Sequence, residues 1–264
     1  MFVLGVSNCI GLVGVGIVAG YFSIIGAVFC THPKFNYVMG CIVIGCWATS
    51  CALCALLAFN RGLEVLSFKA TYALFKGSRT YFWISLAVFY GLLFFWLSKP
   101  LLFTSNAYAH VFNPFAGMDG DIMDHVLTDK YTHTAHTVNN IAVFIVFSLS
   151  FCIITIGIFI KTKVFKGDRE LHMTRYQRLT LIQSTILCLL SGATAILQVY
   201  MQFFETPKWL IVCMQLSFQL CNGCGGFVYL FFHKRLRSAV FRHVFRLDMK
   251  ENTYNNGGRS YTQR

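Results

Sequence analysis

The sequence has few charged residues. Only 12% of its 264 residues are Asp, Glu, Lys or Arg, about half the share that is usual in a soluble domain. None of them lies deep within a long apolar run, and the four prolines lie at the edges of such runs or between them. Proton pumps, voltage sensors and ion-coupled transporters need buried ionisable groups, and broken-helix transporter sites usually need Gly or Pro interruptions. The sequence therefore weighs against these classes.

Long apolar runs are abundant. The chain is 56% hydrophobic and its mean hydropathy is +0.60. Several runs reach the roughly 20 residues that a helix needs to cross about 30 Å of hydrocarbon. Because a backbone in lipid must satisfy its own hydrogen bonds, these runs predict helices rather than the shorter, alternating strands of a barrel. We predict an all-α, polytopic transmembrane bundle with six spans, at about 2–29, 35–60, 81–97, 137–160, 179–204 and 209–232.

The basic residues gather in alternate connections between the spans. Of the 22 Lys and Arg residues, 18 lie at 61–80, at 161–178 and in the tail from 233. The positive-inside rule predicts that this side is cytoplasmic, with both termini inside the cell. The formal charge of +12 is then expected to face anionic lipid or an acidic partner, and not nucleic acid.

The tail has an amphipathic pattern. Leu236, Val240, Val244 and Leu247 recur at helical spacing among several arginines, which predicts a short helix at 233–247 on the inner membrane surface. Residues 1–247 are thus expected to form one transmembrane domain. The polar, Gly- and Asn-rich residues 248–264 are expected to be disordered.

Several motifs carry a family resemblance. They are LLAFNRGLEVLSFKATYALFKGSRTYFWI, GAVFCTHP, HTVNN, LIQSTILCLL, QVYMQFF and WLIVCMQLSFQLCNGCGGFVYLFFHKRLR. In this order and spacing they resemble the nematode serpentine chemoreceptors of class T, which look like seven-helix G-protein-coupled receptors. The resemblance extends to about Arg246. Gly62 stands where the family has Cys, and Gly225 where it has Pro. Residues 2–29 resemble the family's second helix, so the first helix is expected to be missing.

The resemblance implies a role for Asn60 and Arg61. They correspond to the Asp/Glu-Arg-Tyr site of rhodopsin-like receptors, where the Arg swings to the G protein on activation. Asn60 can hydrogen-bond the guanidinium, and Glu64 lies one turn onward, within pairing reach. We therefore expect Asn60, Arg61 and Glu64 to face a G protein. The alternative is that Arg61 only ends the second span at the interface, where its charge costs little.

Neutral polar residues in the outer halves of the spans are candidates for a ligand site. Aromatic walls with a few uncharged donors suit a small, weakly polar, uncharged ligand. The alternative for each residue is an interhelical hydrogen bond. The candidates are Tyr21, Asn139, Asn140, Gln198, Tyr200, Gln202 and Gln215, with Trp47 deeper in the membrane.

The outer loop at about 98–136 holds four Asp and four His residues, among them His110, His133 and His136. Such a set could indicate a metal site or a membrane metalloenzyme. The spacing fixes no ligand geometry, and the repeated His boxes of desaturases are absent. We expect a solvated acidic loop, no metal, no cofactor and no enzymatic activity.

Small residues predict packing between helices. Gly16 and Gly20 form a G-x-x-x-G pattern, which predicts a close contact with a neighbouring helix. Cys51 and Cys54 share a helix face and are expected to pack there.

The sequence as a whole predicts a chemosensory receptor that binds a small environmental molecule and signals to a heterotrimeric G protein. Its expected location is the plasma membrane, including the cilia of sensory neurons, and a receptor oligomer is a further partner to consider. The alternative is a non-signalling six-span membrane protein: a truncated or degenerate receptor, or a small transporter or channel.

Overall fold

The computed structural model describes residues 2–113, 131–164, 175–204, 206–232 and 237–238. The predicted all-α, six-span class is confirmed, because six of the described helices are long and apolar enough to cross a membrane. Most of the predicted tail helix at 233–247, and all of the tail at 248–264, lies outside the described residues. The described helices are α1 (Phe2–Ile24), α2 (Pro33–Leu66), α3 (Phe68–Phe75), α4 (Ser78–Leu97), α5 (Thr134–Val164), α6 (Arg175–Phe203) and α7 (Lys208–Phe232).

The second helix lies at the centre of the bundle, where it contacts α1, α4, α5 and α6. It begins with Pro33 at a first-turn position, where proline's missing N–H costs nothing. Its 34 residues extend about 51 Å, well beyond the hydrocarbon thickness. The helix therefore continues past the predicted end of the span at Asn60 and stops at Leu66. Arg61 and Glu64 thus belong to the helix itself and not to the connection that follows it.

Polar contacts join α1 to α2. The Ser7 hydroxyl donates to the Cys46 carbonyl (3.2 Å), and the Ser50 hydroxyl donates to Asn8 Oδ1 (2.7 Å). The two backbones also approach closely at Gly14, where a Cβ atom would lie 2.6 Å from Val43 Cγ2.

The contact predicted for Gly16 and Gly20 is not made within the described bundle. A Cβ at Gly20 would meet nothing within 4 Å, and one at Gly16 would meet only Leu12 of the same helix. The π-helical stretch Val13–Val18 contains Gly16 and ends two residues before Gly20. Because a π-helix has more residues per turn than an α-helix, the spacing of four no longer keeps glycines on one face.

A β-hairpin that the sequence did not predict closes one end of the bundle. Strands β1 (Leu102–Thr104) and β2 (Ala109–Val111) pair antiparallel, with Phe103 opposite His110. Asn36 of α2 fixes β1, since its amide bonds both the N–H and the carbonyl of Phe103 at 2.9 Å. We call this the hairpin end.

The opposite end carries Arg61, α3 and the turn into α4, and we call it the basic end. Ser67 ends α2 and caps α3, because its hydroxyl accepts from the N–H of Ala70 (3.4 Å). Arg79 and Thr80 then donate to carbonyls of the last turn of α3. Gly77 permits this sharp turn with a φ of +62°.

Candidate functional site

Three helices bring neutral polar side chains together near the hairpin end. The Trp47 Nε1–H of α2 donates to Asn140 Oδ1 of α5 (2.9 Å). Asn139 donates to the same oxygen (3.0 Å), and Asn140 Nδ2 donates to Gln198 Oε1 of α6 (3.0 Å). All four side chains are buried. The structure thus places these four predicted site residues in one hydrogen-bonded group.

The group continues from Asn140 to His136, whose Nε2 lies 3.4 Å from Asn140 Nδ2, and from His136 to Gln202. His136 Nδ1 lies 3.0 Å from Gln202 Nε2, and Gln202 Oε1 accepts from the Thr137 hydroxyl (2.7 Å). The prediction that His136 lies in a solvated loop is therefore wrong, because α5 begins at Thr134 and buries this ring almost completely. We call the whole set the polar cluster, comprising Trp47, His136, Asn139, Asn140, Gln198 and Gln202.

Helical spacing explains how these residues meet. His136 and Asn140 are four apart on α5, and Gln198 and Gln202 are four apart on α6. Residues at this spacing share one helix face, so the two facing pairs form a ladder between antiparallel helices. The motif HTVNN contained the signal that was missed, since it places His136 one turn before Asn140.

Aromatic rings surround the polar cluster. The Trp47 ring meets the edge of Phe218 at a centroid distance of 5.1 Å. Phe112, just past the hairpin, lies 5.0 Å from the His136 ring and 5.2 Å from the His133 ring. The Tyr90 hydroxyl donates to Asn139 Oδ1 (2.9 Å). The cluster therefore has aromatic walls, and residues adjoining the hairpin cover it.

The histidines beside the cluster are held neutral. Burial lowers the pKa of His110 to about 4, although a hydrogen bond with Gln215 opposes this shift. Burial also lowers the pKa of His133, and the nearby Lys99 charge lowers it further. Both residues were predicted to lie in a solvated loop, and that prediction is wrong. The hairpin and the start of α5 fold into the bundle instead, so these two imidazoles are uncharged near neutral pH.

Three predicted ligand residues lie apart from the polar cluster. Tyr21 is 56% exposed on α1, and Tyr200 is 41% exposed and stacks on Phe204. Tyr200 lies between Gln198 and Gln202 in sequence, so it points away from the face that they share. Gln215 instead anchors the hairpin, since it accepts from the His110 N–H (3.2 Å) and donates to the Val15 carbonyl (3.0 Å).

The basic end holds an ion pair. The Arg61 guanidinium pairs with the Glu64 carboxylate, and both side chains are about one-fifth exposed (20% and 22%). The Nε atom of Arg61 is buried and has no hydrogen-bond partner in the part of the chain that the structure describes. Asn60, at the preceding position, is half-buried and is not among the described partners of Arg61. Glu64, which was predicted to pair with Arg61, does so, whereas the Asn60 amide does not bond the guanidinium.

Comparison with known proteins identifies the family. The sequence matches the family described as "Serpentine type 7TM GPCR chemoreceptor Srt" over residues 1–253. The chain belongs to this family. It is 25% identical over 254 residues to "Serpentine receptor class T-55" of Caenorhabditis elegans, an alignment that covers 95% of this chain and 65% of that protein. No solved structure matches.

Membership in the Srt family confirms the resemblance drawn from the motifs. The family is a class of chemoreceptors and not a class of enzymes. It is described as having seven spans, and the described residues of this chain supply six. The chain is a multi-span membrane protein that spans about two thirds of the length of the relative that it matches.

Proposed function

We propose that this Srt chain is a chemosensory receptor that binds a small, uncharged environmental molecule at the polar cluster and signals to a heterotrimeric G protein at the basic end. One observation carries the proposal. Trp47, Asn140 and Gln198 form a buried, neutral, hydrogen-bonded group inside a membrane bundle, between aromatic walls. Such a combination of apolar surface with a few fixed polar groups is typical of small-molecule sites.

The composition of the cluster favours an uncharged ligand. A charged ligand would lose its hydration without meeting an opposite charge, which is costly in a buried site. The amides of Asn140 and Gln198 each offer a donor and an acceptor. A ligand hydroxyl could therefore replace their present mutual bond without leaving a polar atom unpaired, because it would accept from Asn140 Nδ2 and donate to Gln198 Oε1. The Trp47 and Phe218 rings would provide the apolar contact.

The basic end supports the proposed coupling to a G protein. Arg61 is tied to Glu64 by an ion pair, and no described residue bonds its buried Nε. An exchange of partners on activation could therefore give this Nε an acceptor. Trp47 and Arg61 lie on the same helix, 14 residues apart, or about 21 Å along its axis. A small shift of α2 at the cluster would therefore move the Arg61 end as well.

The proposed location is the plasma membrane, including the cilia of sensory neurons, with the basic end in the cytoplasm. The distribution of Lys and Arg supports this orientation. Antibody access to a tag within the turn at Gly77 tests it: the tag should be reached only after permeabilisation. Labelling of the tag on intact cells would show that the basic end faces the outside, which is the opposite of the proposed orientation.

The function is tested by nucleotide exchange on G proteins in membranes that contain the chain. Neutral volatile compounds would be screened beside carboxylate and ammonium analogues of the same size, and only neutral compounds should activate. Gln198→Met should lower the potency of an active compound about tenfold, the effect of one lost hydrogen bond. Ile196→Ala, on the exposed side of the same helix, is the matched control.

Two further variants separate binding from coupling. Arg61→Ala should abolish exchange but leave binding unchanged, and Arg61→Lys should restore little, because Lys lacks the planar guanidinium. Activation by charged analogues, or full exchange by Arg61→Ala, would contradict the proposal. Solute uptake or current without nucleotide exchange would favour a transporter or channel.

A further inference from the structure

A crevice separates α5 from α6 in the half of the bundle nearer the basic end. Its volume is about 180 Å³, and Phe147, Ser148 and Ser184 are among the residues that line it. Ala58 of α2 forms part of the same lining. Ser148 is eight residues beyond Asn140 on α5, about 12 Å along the axis. The crevice is therefore distinct from the polar cluster.

The crevice opens toward the surrounding lipid. Phe151 and Leu189, on its two rims, are 46% and 57% exposed, whereas Ala58 and Cys188 at its back are buried. Both rims lie within helices that span the membrane, so their exposed apolar surfaces face hydrocarbon. A molecule could enter this crevice from the bilayer without passing the hairpin.

The lining combines apolar walls with neutral hydroxyls. Ser148, Ser150, Ser184 and Thr185 contribute hydroxyl groups, and none of the described residues that line the crevice is an Asp, Glu, Lys, Arg or His. The Ser184 hydroxyl already donates to the Leu181 carbonyl (2.9 Å), so its oxygen remains available as an acceptor. A bound molecule that donates one hydrogen bond would fit this oxygen. An ammonium or a carboxylate would lie there without an opposite charge.

The volume limits the size of the occupant. A dry cavity of about 150 Å³ is known to hold benzene, so about 180 Å³ suits a head group and the first few carbons of a chain. The open side allows the rest of a tail to extend into lipid. A whole sterol or phospholipid would not fit inside.

We propose that the crevice between α5 and α6 is a second binding site, for a small uncharged amphiphile with one hydroxyl donor that enters from the bilayer. Its hydroxyl donates to Ser184 Oγ, and its carbons pack between Phe147 and Leu189. This site does not depend on G-protein coupling, because nothing at the basic end takes part in binding.

The test uses the full chain in lipid nanodiscs with a hexanol that carries a photoactivatable diazirine. After irradiation, mass spectrometry should find the label on crevice residues of α5 and α6. Unlabelled hexanol should reduce this labelling to saturation, whereas ionised hexanoate should not. Labelling that is even along all lipid-facing helices, or that hexanoate reduces as well as hexanol does, would overturn the proposal.

Variants then test whether the ligand bonds Ser184 and whether it occupies the crevice. Ser184→Ala should weaken competition by hexanol about threefold to tenfold, and Thr185→Phe should fill the crevice and remove the specific label. Leu149→Phe, at a residue of α5 that is 58% exposed, should leave crevice labelling unchanged. If Thr185→Phe does not fold, as judged by size-exclusion chromatography, Ser184→Ala decides alone. Wild-type competition by hexanol in Ser184→Ala would refute the assigned contact.

Discussion

Replacing Asn140 with leucine should measurably destabilise the bundle. The Asn140 amide accepts from Trp47 Nε1 (2.9 Å) and from Asn139 Nδ2 (3.0 Å), and it donates to Gln198 Oε1 (3.0 Å). Leucine has a similar volume but leaves all three groups unpaired. An unpaired buried group costs about 1–3 kcal/mol in a protein interior, whereas hydrogen bonds between membrane helices average about 0.6 kcal/mol. We therefore expect Asn140→Leu to lower the free energy of unfolding by roughly 2–5 kcal/mol.

Unfolding of the purified chain in mixed micelles of increasing denaturing detergent measures this change. Val138→Ala is the matched control, since Val138 lies two residues away and is 60% exposed. A double-mutant cycle with Trp47→Phe, which removes the donor but keeps an aromatic ring, should give a coupling of about 1 kcal/mol. A loss below about 0.5 kcal/mol for Asn140→Leu, with no coupling, would refute the reasoning, because the released groups would then have found other partners.

Three further perturbations test other parts of the molecule. Gln183 is fully buried, and neither of its polar atoms has a hydrogen-bond partner among the described residues, so Gln183→Leu should raise the free energy of unfolding by about 1–3 kcal/mol; destabilisation would mean that the amide is in fact bonded. The folded-state pKa of His110 is about 4, below its ordinary value of 6.5. The contribution of neutral His110 to the free energy of unfolding is therefore complete above pH 6.5 and is lost as the pH falls toward 4. That loss is on the order of 3 kcal/mol, and it should vanish in His110→Asn; an unchanged pH profile in that variant would exclude His110 as its source. Asn36→Ala should remove both bonds to Phe103 and speed amide exchange at the hairpin, while exchange in α6 stays unchanged; slow exchange at the hairpin would show that the strands hold without Asn36.

Hydropathy was sufficient to predict the spans but not their connections. The six spans follow from apolar runs that only a membrane can accommodate. The hairpin was missed because its strands are three residues each, too short to show an alternating pattern. Its turn also depends on Tyr108, which adopts a φ of +53°, a conformation that is uncommon for a residue other than glycine. The side-chain amides that fix the hairpin come from α2 and α7, so only the tertiary structure reveals them.

The candidate site was predictable where polarity stood out from its surroundings. Trp47, Asn140 and Gln198 were named as ligand-site candidates because neutral polar groups stand out in apolar spans. The bonds that join them are the interhelical hydrogen bonds that were the alternative for each residue. His136 was missed because its neighbours in sequence are loop residues, although its spacing to Asn140 is helical. Tyr200 was included for its polarity, but its position between two inward-facing residues turns it outward.

Fluorescence of Trp47 tests most directly whether ligands bind at the polar cluster. The chain has four tryptophans, and replacing Trp83, Trp96 and Trp209 with phenylalanine leaves Trp47 as the single emitter, buried and bonded to Asn140. A neutral compound that activates the receptor should shift the Trp47 emission saturably, at the concentrations at which it activates, and its charged analogue should not. An activating compound that leaves the emission of Trp47 unchanged would contradict the assignment of the polar cluster as the ligand site.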